Sequence, residues 1–333
     1  MSQALAMGKT RNLPTGPSPF EVVGARLPIG KFADADWTMT GQPRAVVAMH
    51  GLATLWCNTG TKCNLACANC YIESSPTNDA LLYLSAAEVT RYLDEISALA
   101  LGTHEIGFTG GEPFMNPDII AMVTDALRRG HRVLVLTNAM APMRRHREAL
   151  IALRRDYGAQ LTLRVSLDHF TQTVHEAERG ANSWATAIQG LQWLSANGFA
   201  MAVAGRHLAG EGDRQARAGY ANLFAAENIA VDADNPQQLI LFPEMDAHAD
   251  VAEITTACWG ILAVDPDDMM CATSRMVVHR KGQARARVAA CTLIPYDPGF
   301  DMGEKLGGAL GPVALNHPHC ARFCVLGGAS CSG

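Results

Sequence analysis

Three cysteines share one short run, C-N-L-A-C-A-N-C, at Cys63, Cys67 and Cys70. Thiolates at these spacings can converge on one metal centre, but they leave a fourth position without a cysteine. A structural zinc site ordinarily takes four ligands, so Cys57 or a histidine would have to complete it. An iron–sulfur cluster with one iron unligated by protein would instead keep a position open for a substrate or cofactor. Residues 108–113 then read F-T-G-G-E-P. Gly110 and Gly111 permit close backbone approach, and Glu112 can accept from a cation. A second cysteine group follows much later, at Cys258, Cys271, Cys291, Cys320, Cys324 and Cys331. These are too concentrated for ordinary core thiols. Standing alone they would suit zinc, and disulfides are disfavoured in a chain whose start shows no export signal.

The elements that must position these residues appear as an alternation of apolar runs and amphipathic stretches. Strands are expected at residues 52–56, 104–108, 132–136, 161–166, 199–204 and 238–242. Helices are expected at residues 85–100, 117–129, 143–157, 183–197 and 214–226. Strand-then-helix units imply a parallel sheet, because each parallel step needs a crossover connection. An open doubly wound sheet and a partial barrel both satisfy that order. Polar residues gather just after the strands, at Thr109–Glu112, Thr137 and Asn138, Asp168, Arg206 and Glu244. Both architectures hold their sites at that end. Residues 1–50 are rich in Pro and Gly and read as an arm or cap. Residues 276–279 and 287–290 suggest a hairpin turning at Lys281 and Gly282. The region from 249 to 333 reads as a small second unit in which metal supplements a limited core.

Composition narrows the function classes. The chain has 333 residues, with 27 basic against 32 acidic, and this balance is not expected of a nucleic-acid binder. An apolar share of 48% with 18% charged residues excludes a disordered chain. No long apolar run is present, so no membrane partner is expected, and a cytoplasmic location is.

The C-x3-C-x2-C run after the first strand, followed one strand–helix unit later by G-G-E-P, resembles the radical S-adenosylmethionine (SAM) enzymes. The resemblance covers roughly residues 52–245. It implies an α/β fold, a partial (β/α)6 TIM-like barrel with a small cysteine-rich C-terminal α+β extension. The expected division is an arm at 1–50, a barrel at 51–248 and an extension at 249–333. Cys63, Cys67 and Cys70 are then expected to hold a [4Fe–4S] cluster whose remaining iron binds the methionine moiety of SAM. Gly110, Gly111 and Glu112 would receive the methionine ammonium, and Tyr71, Asn138, Ser166 and Arg206 would serve cofactor binding. Asn69 stands where the family usually has an aromatic residue. Asp168, His175 and Glu244 are the expected catalytic side chains, Asp168 and Glu244 being placed for polar contacts or general-base work. Helix capping and internal ion pairing are the competing roles for His175 and Arg179.

The later cysteines resemble the auxiliary-cluster extension (SPASM or twitch type) of peptide- and protein-modifying radical enzymes. There a cysteine precedes a hairpin, another follows it, and more arrive near the C-terminus. Such an extension implies at least one auxiliary [4Fe–4S] cluster. Its expected ligands are Cys271, Cys291 and two of Cys320, Cys324 and Cys331, with Cys258 as competitor and His317 and His319 as alternatives beside Cys320. The implied activity is reductive cleavage of SAM to a 5'-deoxyadenosyl radical, fed by a flavodoxin- or ferredoxin-like electron donor. Hydrogen abstraction from a peptide or small natural-product precursor would follow, ending in oxidation, crosslinking or epimerisation. A zinc-dependent hydrolase or transferase and a non-catalytic metal-bound interaction protein are the competing functions.

Overall fold

The computed structural model describes residues 14, 16–22, 24–244 and 246–330. Cys331 and the first thirteen residues of the expected arm lie outside them. Six parallel strands succeed one another in chain order: β1 (Thr54–Asn58), β2 (Glu105–Thr109), β3 (Arg132–Thr137), β4 (Leu161–Ser166), β5 (Ala200–Arg206) and β6 (Leu239–Phe242). Each hydrogen-bonds to its sequence neighbour. The crossovers are α1 (Ala86–Ala98), α2 (Ile119–Arg128), α3 (Arg147–Tyr157), α4 (Gln172–Arg179), α5 (Ser183–Ala196) and α6 (Asp213–Ala226). The result is a mixed α/β fold whose central sheet resembles a partial TIM-like barrel.

Side-chain alternation along the strands divides the molecule into two cores. Leu55, Ile106, Val133 and Leu163 face the helices, where they meet Val89, Leu93 and Ile96 of α1 and Val123 of α2. Each such fully buried aliphatic side chain stabilises the fold by about 1.5–3 kcal/mol. Trp56 and Leu134 point to the opposite face and join a second core containing Cys271, Cys291, Cys320 and Cys324. Helix α1 starts where its sequence dictates. The Ser85 hydroxyl accepts the Glu88 N–H at 3.3 Å while the Glu88 carboxylate accepts the Ser85 N–H at 2.9 Å. The helix expected at 143–157 is broken instead. A single turn at Ala141–Arg144 precedes α3, and His146 between them leaves helical geometry with its ring Nε2 3.3 Å from the Phe114 carbonyl.

The C-terminal segment continues the central sheet. β7 (Ser274–Val278) pairs in parallel with β1, and β8 (Arg287–Ala289) pairs antiparallel with β7. The described N-terminal residues pack against this C-terminal segment. Val46–Val47 pairs with Val313–Ala314, and the buried Arg44 guanidinium meets Glu253 at 2.6 Å. Among the described residues no helix is long and apolar enough to cross a membrane.

Candidate active site

The loop after β1 carries Cys63, Cys67 and Cys70, and it is stitched to the glycine turn after β2. The Gly111 N–H donates to the Gly60 carbonyl at 2.8 Å and the Glu112 N–H to the Lys62 carbonyl at 3.1 Å. A Cβ at Gly111 would overlap the Lys62 carbonyl, and one at Gly110 would sit 2.6 Å from the Gly60 carbonyl oxygen. Gly110 also has φ of +140°, a conformation that side chains disfavour. The two glycines are therefore required by the packing of one motif on the other. Within the loop, backbone donors point at sulfur. Leu65 N–H reaches Cys63 Sγ at 3.4 Å, and Ser74 N–H reaches Cys70 Sγ at 3.3 Å.

Glu112 is buried and turned toward β3. Its carboxylate accepts Thr137 Oγ1 at 2.8 Å, Asn138 N–H at 2.8 Å and Phe114 N–H at 3.2 Å. Burial outweighs these bonds and pushes the carboxyl up to about 7. Glu112 thus ties the ends of β2 and β3 together while Gly110, Gly111, Thr137 and Asn138 line the cavity. The Asn138 amide donates to Asn64 Oδ1 at 2.9 Å, which fixes the start of the cysteine loop from the β3 side.

The opposite wall is an ion network. Asp168, just beyond β4, is held by the Arg179 guanidinium through two hydrogen bonds, and Arg206 Nε lies 3.4 Å away. Burial alone would raise the Asp168 carboxyl, but the two guanidinium groups outweigh it and hold it well below the usual carboxylate range. Glu178 of α4 accepts the Asn69 N–H at 2.9 Å and the Ser18 hydroxyl at 2.5 Å, so the cysteine loop and the arm are both anchored to α4. Phe20 of the arm is buried beneath Arg206, whose Cζ lies 5.2 Å from the ring centre.

One cavity at the C-terminal ends of the strands brings most of the expected residues together. Cys63, Cys67, Cys70 and Tyr71 form one side, Ser166, Asp168 and Arg206 another, with Gly110, Gly111 and Asn138 between them. Of the expected residues, Glu112, His175 and Glu244 do not line this cavity, and Asp168 does. His175 is fully buried on α4 and does not line the cavity; its ring packs edge-on against Trp184, and burial lowers it to about 4. Glu244 does not line the cavity either. Its carboxylate is buried without a hydrogen-bond partner among the described residues, and burial pushes it up to about 8. Asp168 does line the cavity, but a carboxylate clamped by two guanidinium groups is a poor general base.

Sequence reasoning missed Arg164 as a cavity residue, whereas Arg179, for which internal ion pairing was weighed, both pairs with Asp168 and lines the cavity. Arg164 was legible in the alternation of residues 161–168, which places Thr162, Arg164, Ser166 and Asp168 on one face and Leu161, Leu163, Val165 and Leu167 on the other. The remaining wall is apolar, formed by Leu136, Phe242, Pro243, Leu293 and Phe323.

Leu293 also lines a second cavity, which gathers Cys271, Cys291, Cys320 and Cys324. Cys258 is not brought to it; its Sγ instead accepts the Thr255 N–H at 3.4 Å beside a short helix, Cys258–Leu262. Burial pushes Cys271 up to about 11 and Cys320 up to about 12. Arg275 is fully buried beside this set and donates to the carbonyls of Cys271, Ser274, Ala309 and Gly311 at 2.6–2.7 Å. Among the described residues no carboxylate pairs with it. A buried cation whose charge acts on Cys271 and Cys291 fits a site whose ligands are thiolates.

The donor sets fit clusters better than single ions. Among the described residues no three His, Cys, Asp or Glu side chains converge as a mononuclear metal would require. A four-iron cluster takes one cysteine per iron, so its ligands ring a cavity instead of meeting at a point. The first cavity offers three such thiols with polar neighbours, and the second offers four.

Residues 57–214 match the model of the radical SAM superfamily. The subtilosin biosynthesis protein AlbA of Bacillus subtilis is 32% identical over 144 residues, 43% of this chain and 30% of that protein. The mycofactocin maturase MftC of Mycobacterium ulcerans is 33% identical over 182 residues, 52% of this chain and 47% of that protein. The chain thus spans less than half the length of either relative. SuiB of Streptococcus suis bound to S-adenosylmethionine shares the fold at a TM-score of 0.55 and 11% identity, over 76% of this chain and 63% of that one. Neither the comparisons nor the geometry supports a zinc hydrolase.

Proposed function

On the premise that this chain carries a radical SAM domain followed by further C-terminal cysteines, we propose that it cleaves S-adenosylmethionine reductively and directs the resulting radical at a peptide or small natural-product precursor. The observation that carries this reading is the meeting of Cys63, Cys67 and Cys70 with the Gly110–Gly111 turn in one cavity. When bound, a [4Fe–4S] cluster and SAM supply one-electron cleavage of the sulfonium and a radical able to take a hydrogen atom. The protein binds, orients and keeps out water.

Cys63, Cys67 and Cys70 hold the cluster, and the Leu65 and Ser74 N–H groups soften the charge on two of the sulfurs. Gly110, Gly111 and Asn138 present backbone and amide groups to the methionine end of SAM. Glu112 is a positioning residue that fixes this surface through Thr137 and Asn138. Ser166, Arg206 and Tyr71 complete the cofactor side, with Asp168 and Arg179 keeping that wall rigid. Hydrogen-atom abstraction requires no general base, which agrees with an Asp168 carboxyl held well below the usual carboxylate range by two guanidinium groups. The apolar wall of Leu136, Phe242, Leu293 and Phe323 receives the substrate.

In the extension, Cys271, Cys291, Cys320 and Cys324 hold an auxiliary [4Fe–4S] cluster by four thiolates, with Arg275 as part of the counter-charge. AlbA and MftC are named for bacteriocin biosynthesis and mycofactocin maturation, which supports a natural-product precursor here. A flavodoxin- or ferredoxin-like protein supplies the electron. Anaerobic reconstitution tests the reading, with 5'-deoxyadenosine expected from SAM after reduction. A fully loaded protein that leaves SAM intact would overturn it.

A further inference from the structure

The second cavity holds a fifth heteroatom-bearing side chain besides its four cysteines. His319 lies in its wall, buried at 6% exposure, one residue before Cys320. The ring Nδ1 has no hydrogen-bond partner among the described residues. The backbone does not rescue it, since the His319 N–H is taken by Nδ1 of His317 at 3.1 Å. The His317 ring, 4.7 Å away, packs against His319 on one side and Phe300 on the other, so the imidazole is held in place by rings. A buried nitrogen kept without a partner in a well-packed wall is costly, and such atoms mark sites whose missing neighbour is a ligand. Elsewhere in this cavity the Leu293 N–H lies 3.4 Å from Cys291 Sγ.

Four thiolates already satisfy four irons, so the histidine is not needed as a ligand. Among the described side chains lining this cavity, His319 is the one with a nitrogen to donate to a sulfur, since every wall residue other than His319 and the cysteines is aliphatic, aromatic or Met. We propose that the His319 imidazole donates a hydrogen bond to a sulfur of the auxiliary cluster and thereby raises that cluster's reduction potential. The sign follows because reduction adds negative charge to the cluster, and a donor stabilises the more negative state. The inference rests on the auxiliary-cluster reading given above.

The test uses the full chain, reconstituted anaerobically, with iron counted and the auxiliary cluster titrated potentiometrically by electron paramagnetic resonance. His319→Phe removes the donor with an apolar ring of similar size, and His319→Gln keeps a donor. With both clusters retained, His319→Phe is expected to make reduction about tenfold less favourable, ~59 mV to the negative for a one-electron couple, and His319→Gln to recover part of that shift. An unchanged potential in His319→Phe would overturn the inference. So would loss of the auxiliary irons in both variants, which would make His319 a ligand or a packing pillar. If the unsubstituted chain holds only the first cluster, the auxiliary-cluster reading fails and this inference falls with it. The iron count therefore separates the two failures.

Discussion

The Gly111 N–H lies 2.8 Å from the Gly60 carbonyl, so the glycine turn of β2 and the cysteine loop of β1 are one hydrogen-bonded unit. A methyl group at residue 111 would overlap the Lys62 carbonyl, one residue before Cys63. Gly111→Ala is therefore expected to push the loop outward, at a stability cost of about 1–3 kcal/mol from overpacking. Iron bound by the first cavity should fall while iron in the second is kept. Iron analysis of the reconstituted variant checks this.

Asp168 is the shared partner of the Arg179 and Arg206 guanidinium groups. Asp168→Asn leaves the part-buried Arg179 guanidinium a neutral partner and Arg206 its contact with Glu178 at 3.7 Å, and removing one side of a buried ion pair costs about 3–5 kcal/mol. Urea unfolding should report a loss of that order. The remaining activity should keep the pH profile of the unsubstituted enzyme, since Asp168 gives up no proton in turnover.

Glu244 and Glu112 set an acid-side stability window. Burial raises Glu112 to about 7 and Glu244 to about 8 from the ordinary carboxyl value of 4.5. Each group binds its proton more tightly folded than unfolded. Their contribution is thus complete below about pH 4.5 and is lost as pH rises through 7 and 8. Unfolding free energy should fall across that range, and Glu244→Gln should flatten the upper part of the decline. A decline of unchanged slope in Glu244→Gln would assign it to other groups.

The second cavity makes a sharp distinction between cysteines of equal sequence standing. Cys271→Ala and Cys291→Ala are each expected to remove the auxiliary iron, about half the total if each cavity holds four. Cys258→Ala, outside the cavity, should remove none. Iron and sulfide counts on the three variants decide it.

The strands were legible because their apolar runs are bounded by polar residues, and residues 161–166 coincide with β4 to the residue. Helix α4 was not, because its inward face carries His175 and Glu178, and a helix that buries polar groups has no apolar stripe to read. Arg164 stands on the polar face of the alternation along β4, but a charged residue inside a strand carries no motif that marks it as part of a site. The joining of β7 to β1 was equally invisible, since parallel pairing between segments so far apart leaves no local signal. Spacing could not separate Cys258 from the four cysteines of the second cavity; only the fold brings Cys271 and Cys291 against Cys320 and Cys324. Cys57, which could have completed a zinc site, is instead fully buried within β1 and lines neither cavity.

The most direct measurement is anaerobic SAM cleavage by the reconstituted protein beside its Cys63→Ala, Cys67→Ala and Cys70→Ala variants. The unsubstituted protein should release 5'-deoxyadenosine on reduction. Each variant should release none while still holding about four irons in the second cavity. Retention of 5'-deoxyadenosine formation by any of the three variants would contradict the placement of the catalytic cluster on this loop.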